Sequence, residues 1–281
     1  MEKALIIGIN SFLGEAIYKQ LEGSYDVTGI YNRNKENIPQ EIKAIQVDEI
    51  DRLEGTDFKH IYLVSSFIPT GDKSIEDENL IHANLLLPAK VSKLFPQSRI
   101  VFCSSVSVYE NSANTKDIST KQAPTPYSKY ALSKLWGERS IENHSSYAII
   151  RISSMYGVGM KKITFLPKII ENALSFGEIK LLGKGERLQN YIHVNDVASI
   201  AVKSAQQDDN FTIHAVSEQS YSNKEIAERI ANITPCKLIL TGEDTSKSFS
   251  YDSSSTKEKL GIINYKTIEE GIKEIIEWIK K

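Results

Sequence analysis

Cysteine is nearly absent from the 281 residues: Cys103 and Cys236 are the only two. Two thiols so far apart exclude a disulfide framework and a cysteine-built zinc site. They read as buried thiols in a reducing compartment, and no metal site is expected. Charge of one sign is lacking as well. The chain has 34 Lys and Arg against 36 Asp and Glu, a net charge of -2, and no basic block. A nucleic-acid backbone needs clustered cations, so nucleic acid is not an expected partner. No apolar run approaches the length that spans a bilayer, and no membrane association is expected. Met1-Glu2-Lys3 leads straight into an apolar run, without the basic, apolar and small-residue series of a secretory leader. A soluble, cytoplasmic protein is therefore expected. No internal repeat is visible, and the one low-complexity stretch, Ser253–Ser255, reads as a loop.

What is present is ordinary globular composition, 41% hydrophobic and 25% charged, in a chain long enough to bury a large core. Short β-branched runs alternate with helical patterns in the first half. Strands are predicted at Ala4–Ile7, Tyr25–Ile30, Ala44–Val47, Ile61–Val64, Arg99–Cys103 and Tyr147–Arg151. Helices are predicted at Leu13–Leu21, Ile75–Phe95 and Pro126–Asn143. Such alternation builds a doubly wound parallel sheet of the Rossmann type, covered by helices on both faces. After Arg151 the pattern changes. Ile163–Ser175 looks helical, Ile179–Leu182 extended, and the stretch after Asn195 helical again. Ser222 and Glu225 fit a capping box, and Thr267–Lys280 fits a final amphipathic helix. The expected organisation is a nucleotide-binding domain from residues 1–153 plus about 188–206. A smaller, discontinuous C-terminal substrate-binding cap would come from 154–187 and 207–281.

Gly8-Ile9-Asn10-Ser11-Phe12-Leu13-Gly14 joins the first strand to the first helix. That is the place a dinucleotide-binding loop must occupy, because helix-terminal amides there meet the pyrophosphate. Gly8 permits the tight turn and Gly14 close packing, while Ser11 replaces the middle glycine. A side chain at that position costs about 1–2 kcal/mol if the backbone must be left-handed. Many α/β proteins make a two-glycine turn here without any cofactor. The second strand ends in Tyr31-Asn32-Arg33-Asn34-Lys35 and offers no carboxylate to a ribose 2′-hydroxyl. Arg33 and Lys35 suit a 2′-phosphate instead, which favours NADP over NAD. Otherwise they are solvated loop residues.

Tyr130 and Lys134 stand four residues apart in a predicted helix and share a face. A phenol titrates near pH 10, and a neighbouring ammonium favours the phenolate. Lowering it by about 3 units takes about 4 kcal/mol. Tyr127 has only Ala131 one turn on and lacks such a partner. An incidental surface pair is the alternative reading. Ser104 and Ser105 follow a buried strand at the sheet edge where ligands bind. Ser105 fits a substrate-orienting hydroxyl, and Ser104 a turn or helix cap.

These residues resemble the extended short-chain dehydrogenase/reductase family, in its nucleotide-sugar epimerase, dehydratase and reductase branch. The likeness covers nearly the whole chain. It rests on Phe102–Tyr109 as the serine segment and on Pro126–Lys134 with Glu138 as the Y-x-x-S-K-x-x-x-E segment. Asn84, the pair Val47-Asp48, Arg151–Gly157 and Tyr191–Val197 match further motifs in order. The resemblance implies that Tyr130 is the general acid/base, that Lys134 tunes it and holds the nicotinamide ribose, and that Ser105 orients the substrate oxygen. It implies cofactor contacts from Gly8, Asn10, Ser11, Phe12, Leu13, Gly14, Arg33, Asp48, Ser65 and Asn84. It implies substrate contacts from Ser154, Arg187 and Gln189. Ser154 stands in place of the usual asparagine, and Gln189-Asn190 in place of Arg-Asp, with Arg187 as a substitute cation. His193 is read as fixing the chain crossing, and Asp196 as a helix cap. A homodimer through the Tyr130 helix is implied as well.

Dehydratase relatives carry an acid/base pair directly after the serine; here those places hold Val106 and Ser107. That leaves an NADPH-dependent reductase of a 4-keto-6-deoxysugar nucleotide, favoured by the short cap and the Tyr31–Arg33 turn, or an NAD-dependent 4-epimerase. A non-catalytic NADP-sensing protein is a third reading. Retention of Ser105, Tyr130 and Lys134 together speaks against it.

Overall fold

The computed structural model describes residues 1–69, 73–261 and 263–281. In chain order the elements are β1 (Glu2–Ile7), α1 (Phe12–Leu21), β2 (Tyr25–Tyr31), β3 (Lys43–Gln46), β4 (His60–Leu63), α2 (Lys73–Leu80), α3 (Leu87–Leu94), β5 (Arg99–Ser105), α4 (Lys129–Glu142), β6 (Tyr147–Ile152) and β7 (Ser154–Tyr156). There follow α5 (Phe165–Phe176), β8 (Glu178–Leu182), β9 (Leu188–His193), α6 (Val194–Ala205), β10 (Phe211–Ala215), β11 (Ser220–Ser222), α7 (Asn223–Ile233), β12 (Lys237–Thr241), α8 (Ser254–Leu260) and α9 (Ile268–Lys280).

Seven strands form the central sheet in the order β10-β6-β5-β4-β1-β2-β3, every pair parallel. Runs such as Ala4-Leu5-Ile6-Ile7 are fully buried, because helices cover both faces of such a sheet. One apolar cluster packs α1 and α6 on one face, with Leu13, Ile17, Val197 and Ile200. Another packs α3 on the opposite face through Val91, Phe102 and Ile149. The doubly wound arrangement expected from the sequence is thus present. Its seventh strand comes from Phe211–Ala215, inside the segment expected in the smaller cap.

A third cluster joins α5, α7 and α9 around Ile170, Ile226, Ile272 and Ile275. The buried isoleucines of α9, at 268, 272, 275 and 276, recur at the spacing of one helical face. Both capping boxes form, Ser222 with Glu225 and Thr267 with Glu270. Phe12 packs against this cluster and the first one, so the phosphate turn sits where the two bodies meet.

Three expectations are corrected. Ser253–Ser255 is not a loop: α8 begins at Ser254, whose amide and hydroxyl both donate to the Asp252 carboxylate at 2.8 Å. The helix expected at Pro126–Asn143 starts at Lys129, because Ser128 caps it by accepting from the Ala131 amide. The long helix expected at Ile75–Phe95 is interrupted by a π-helical segment, Ile81–Leu86, between α2 and α3. Such segments carry a wide turn that often marks a functional site. Here it holds Asn84.

Candidate active site

The strand order reverses around β1, which pairs with β2 on one side and β4 on the other. Open α/β sheets bind ligands at the carboxyl ends of strands at such a point. A cavity of about 820 Å³ opens there. Its wall includes Asn10, Ser11, Phe12 and Leu13 from the turn after β1, Ser66 after β4, and Ser105 at the end of β5. Tyr130 and Lys134 of α4, Ser154 of β7 and Gln189 of β9 complete that part of it.

In the phosphate turn, Gly8 has φ +97°, and a Cβ there would lie 3.0 Å from the Ser65 amide. A Cβ on Gly14 would lie 2.1 Å from the Gly8 carbonyl oxygen. Ser11 takes an extended conformation, φ -89° and ψ 159°, so the left-handed cost considered for it does not arise. Its hydroxyl instead accepts from the Gly14 amide at 3.0 Å and caps α1. Asn10 donates to the Asn34 carbonyl and side chain at 3.0 and 2.9 Å, tying the turn to the end of β2.

Burial holds the Tyr130 phenol above its ordinary value, and the hydroxyls of Ser105 and Ser66 pull it partly back. The Lys134 ammonium, 1% exposed, donates to the Cys103 carbonyl at 2.5 Å and lies over the Phe102 ring. Burial pushes it down to about 8. Burial outweighs the two serines, so the phenol stays above its ordinary value. Ser105 also accepts from the Ser107 amide at 3.1 Å and caps the turn Val106–Tyr109. Ser104, expected in a turn or cap, lies in β5 and donates to Glu138 at 2.5 Å. The cap expected of Ser104 is thus made by Ser105, because strand alternation points neighbouring side chains to opposite faces.

His193 and Asp196 exchange roles in the same way. His193 caps α6, its Nδ1 accepting from the Asn195 amide at 3.2 Å. Asp196 accepts from the Lys266 amide at 3.0 Å and ties two distant stretches of chain together.

A model of the NAD dependent epimerase/dehydratase family matches residues 4–217. The chain belongs to that family. A search of curated proteins found no match. Among solved structures, MoeE5 in complex with UDP-glucose and NAD is 20% identical, with 99% of this chain and 98% of that one covered and a TM-score of 0.84. TunA, an NAD dependent NDP-hexosamine 5,6-dehydratase involved in tunicamycin biosynthesis, is 21% identical over 100% and 98%, at 0.84. The UDP-glucuronic acid 4-epimerase from Bacillus cereus in complex with NAD is 18% identical over 99% and 98%, at 0.83. At these identities the likeness establishes the fold.

Within this family member, not every expected residue reaches the cavity. Arg187 lines a second, adjoining cavity of about 190 Å³ that shares Ser107, Ser153, Ser154 and Gln189 with the first. Its buried Nε has no hydrogen-bond partner among the described residues. Ser65 supports the turn, donating its amide to Ile7 at 2.8 Å. Asn84 stands behind the wall, donating to the Phe67 carbonyl at 3.0 Å and to Ser133 at 2.9 Å. Arg33 donates to Asn79 at 3.1 Å, and Asp48 opens a short helical turn after β3; neither is in the lining. Sequence reading missed Ser66, one residue beyond Ser65. It also missed Lys247 and Phe249 of the second cavity, which sit in a loop without any periodic signal.

Behind the site runs a buried polar network. Ser104, Arg151 and His214 are in register across β5, β6 and β10. Arg151 grips Glu138 with two bonds, 3.0 and 2.7 Å, and also donates to the Tyr109 hydroxyl. Tyr109 in turn meets His214 Nε2 at 3.1 Å, and Nδ1 faces the Asp252 carbonyl at 3.1 Å. Burial pushes His214 down to about 4. The unfolded chain, with histidine near 6.5, binds that proton first as pH falls. Stability is therefore full above about pH 6.5 and declines toward pH 4, by on the order of 3 kcal/mol for this histidine. His60, also pushed down to about 4 by burial, acts in the same direction. Urea midpoints at pH 7.5 and 4.5 should show this loss, reduced by roughly half in His214→Gln.

Proposed function

We infer that this protein is an NAD(P)-dependent oxidoreductase acting at C4 of a nucleotide-sugar, and specifically an NADPH-dependent reductase of a 4-keto-6-deoxysugar nucleotide. One observation carries the reading: the phosphate turn and the Tyr130, Ser105 and Lys134 side chains open on a single cavity.

The residues present suit a nicotinamide dinucleotide. Asn10–Leu13 lie at the start of α1, whose positive end favours a pyrophosphate. The end of β2 presents Arg33 and no carboxylate, which supports NADP. A dinucleotide held by Asn10–Leu13 would supply the hydride for the sugar's C4 carbon. The protein's own part is the proton. Ser105 hydrogen-bonds the C4 oxygen, and the Tyr130 hydroxyl donates its proton to that oxygen as charge develops on it. The resulting phenolate is stabilised by the Ser66 hydroxyl and by the charge of Lys134. Arg187 and Lys247 suit the substrate's diphosphate, and Phe249, stacked on Tyr251, suits its base.

Purified protein given NADPH and a 4-keto-6-deoxysugar nucleotide should consume both in equal amounts. Release of stoichiometric, tightly held NAD on denaturation, with interconversion of C4 epimers and no NADPH consumption, would replace this reading with the epimerase. The NAD seen in solved relatives favours that alternative.

The reading includes a homodimer in the cytoplasm, which light scattering and cell fractionation test. Leu132 and Trp136 of α4 are 51% and 61% exposed, and the Ile81–Leu86 segment that packs against α4 exposes Ile81 and Leu86. Trp136→Glu should convert a dimer to monomers; a monomeric wild type removes the proposal. Among the described residues no helix is long and apolar enough to cross a membrane.

A further inference from the structure

The buried network behind the cavity contains one carboxylate that the proton transfer does not use. Tyr130, Lys134 and Glu138 follow one another at four-residue steps along α4 and share a face. Tyr130 reaches the cavity, whereas Glu138 is fully buried. Its two oxygens are occupied: Oε1 accepts from Ser104 and Arg151, and Oε2 from Arg151. Ser104 directly follows Cys103, whose carbonyl accepts from the Lys134 ammonium. The lysine and the carboxylate thus hang from adjacent residues of one strand.

We propose that Glu138 is the positioning residue of this site: clamped by Arg151 and Ser104, it supplies the negative charge that keeps the buried Lys134 an ammonium on the Cys103 carbonyl beside Tyr130. This rests on the reading of Tyr130 and Lys134 as the acid/base pair.

The charge arrangement argues for it. A lysine 1% exposed loses the hydration that favours its charged form. The groups around the pair are Cys103 and Ser104 from β5, Arg151 from β6, Tyr109 from the turn after β5, His214 from β10, and Tyr130 from α4 itself. Burial keeps the Cys103 thiol up at about 12 and His214 down at about 4, so both are neutral near pH 7. Tyr109 and Tyr130 are held above the ordinary phenol value. Glu138 is therefore the one anion in the set, and it acts on Lys134, with Cys103, in the direction that opposes burial. Arg151 fixes that anion without sitting on the lysine. A lysine at about 8 stands near the point where losing this support empties it of its proton.

The test is the titration of Lys134 itself, in the full chain labelled with 13C and 15N at lysine, its signal assigned by loss in Lys134→Met. In Glu138→Gln the titration should move down by about 1–2 units. The alkaline limb of turnover against pH should move down with it, and activity should recover toward wild type at low pH. A merely structural glutamate would lower activity at every pH and leave the limb in place. If the single variant does not fold, Glu138→Gln with Arg151→Met removes the ion pair as a unit, which buried pairs often tolerate. The Lys134 titration should then fall by a smaller amount in the same direction. An unmoved Lys134 titration in whichever folded variant is measured overturns the proposal. The NMR readout needs no substrate, so absence of turnover on any nucleotide-sugar would remove the functional reading while leaving the role of Glu138 decided.

Discussion

Tyr130→Phe should lower turnover by about 10²–10⁴-fold while leaving dinucleotide affinity within about threefold of wild type. The substitution removes one hydroxyl from a half-buried ring at the cavity wall. It removes the proton that the reading transfers to the C4 oxygen, so the developing alkoxide would have to draw on water. The ring keeps its packing, and the phosphate turn, which comes from a different part of the chain, is untouched. Stopped-flow turnover and fluorescence titration with NADPH separate the two effects. Equal turnover in wild type and variant would remove Tyr130 from the chemistry and return the sensing alternative. Loss of cofactor binding together with turnover would mean that the ring itself shapes the dinucleotide site.

Arg151→Ala should destabilise the fold by about 3–5 kcal/mol, a fall of roughly 10 °C in melting temperature. The guanidinium is 6% exposed at its side chain and the Glu138 carboxylate 0%. Taking the cation away leaves a buried anion with only the Ser104 hydroxyl, and removes one partner of the Tyr109 hydroxyl, which keeps His214. Desolvation of such an anion outweighs what one neutral hydrogen bond returns. Adding Glu138→Met in the same chain should recover most of the loss, since the carboxylate stranded by the loss of Arg151 is then gone as well. Calorimetry decides: a melting point within a degree or two of wild type would mean that water reaches Glu138 and that the network is not dry.

The sequence carried much of this site because local patterns report local structure. A glycine-bounded turn after an apolar run, a tyrosine and lysine one helical turn apart, and serines after a buried strand each fix which side chains can share a face. Those signals located Gly8, Ser105, Tyr130 and Lys134, and the cavity gathers the turn and these three side chains together. They failed where the answer depended on which face of a strand or which distant segment a side chain meets. Ser104 and Ser105 are chemically identical neighbours that both line the cavity, and only the packing of α4 against β5 gives Ser104 the Glu138 carboxylate as its partner. His193 and Asp196 exchanged their expected roles because the Lys266 amide, far along the chain, arrives beside the aspartate. Ser253–Ser255 opened a helix because Asp252, one residue outside the run, takes up the first free amide.

What the sequence by itself determined is the strand–helix alternation of the first half, the phosphate turn and the spacing of Tyr130 and Lys134, since each follows from periodicity and backbone sterics within a few residues. What only the tertiary structure decided is the company these side chains keep. Burial and cross-strand neighbours set the charge of Lys134, the partners of Glu138 and the neutrality of His214, because desolvation and Coulomb interactions depend on separations in space between residues far apart along the chain.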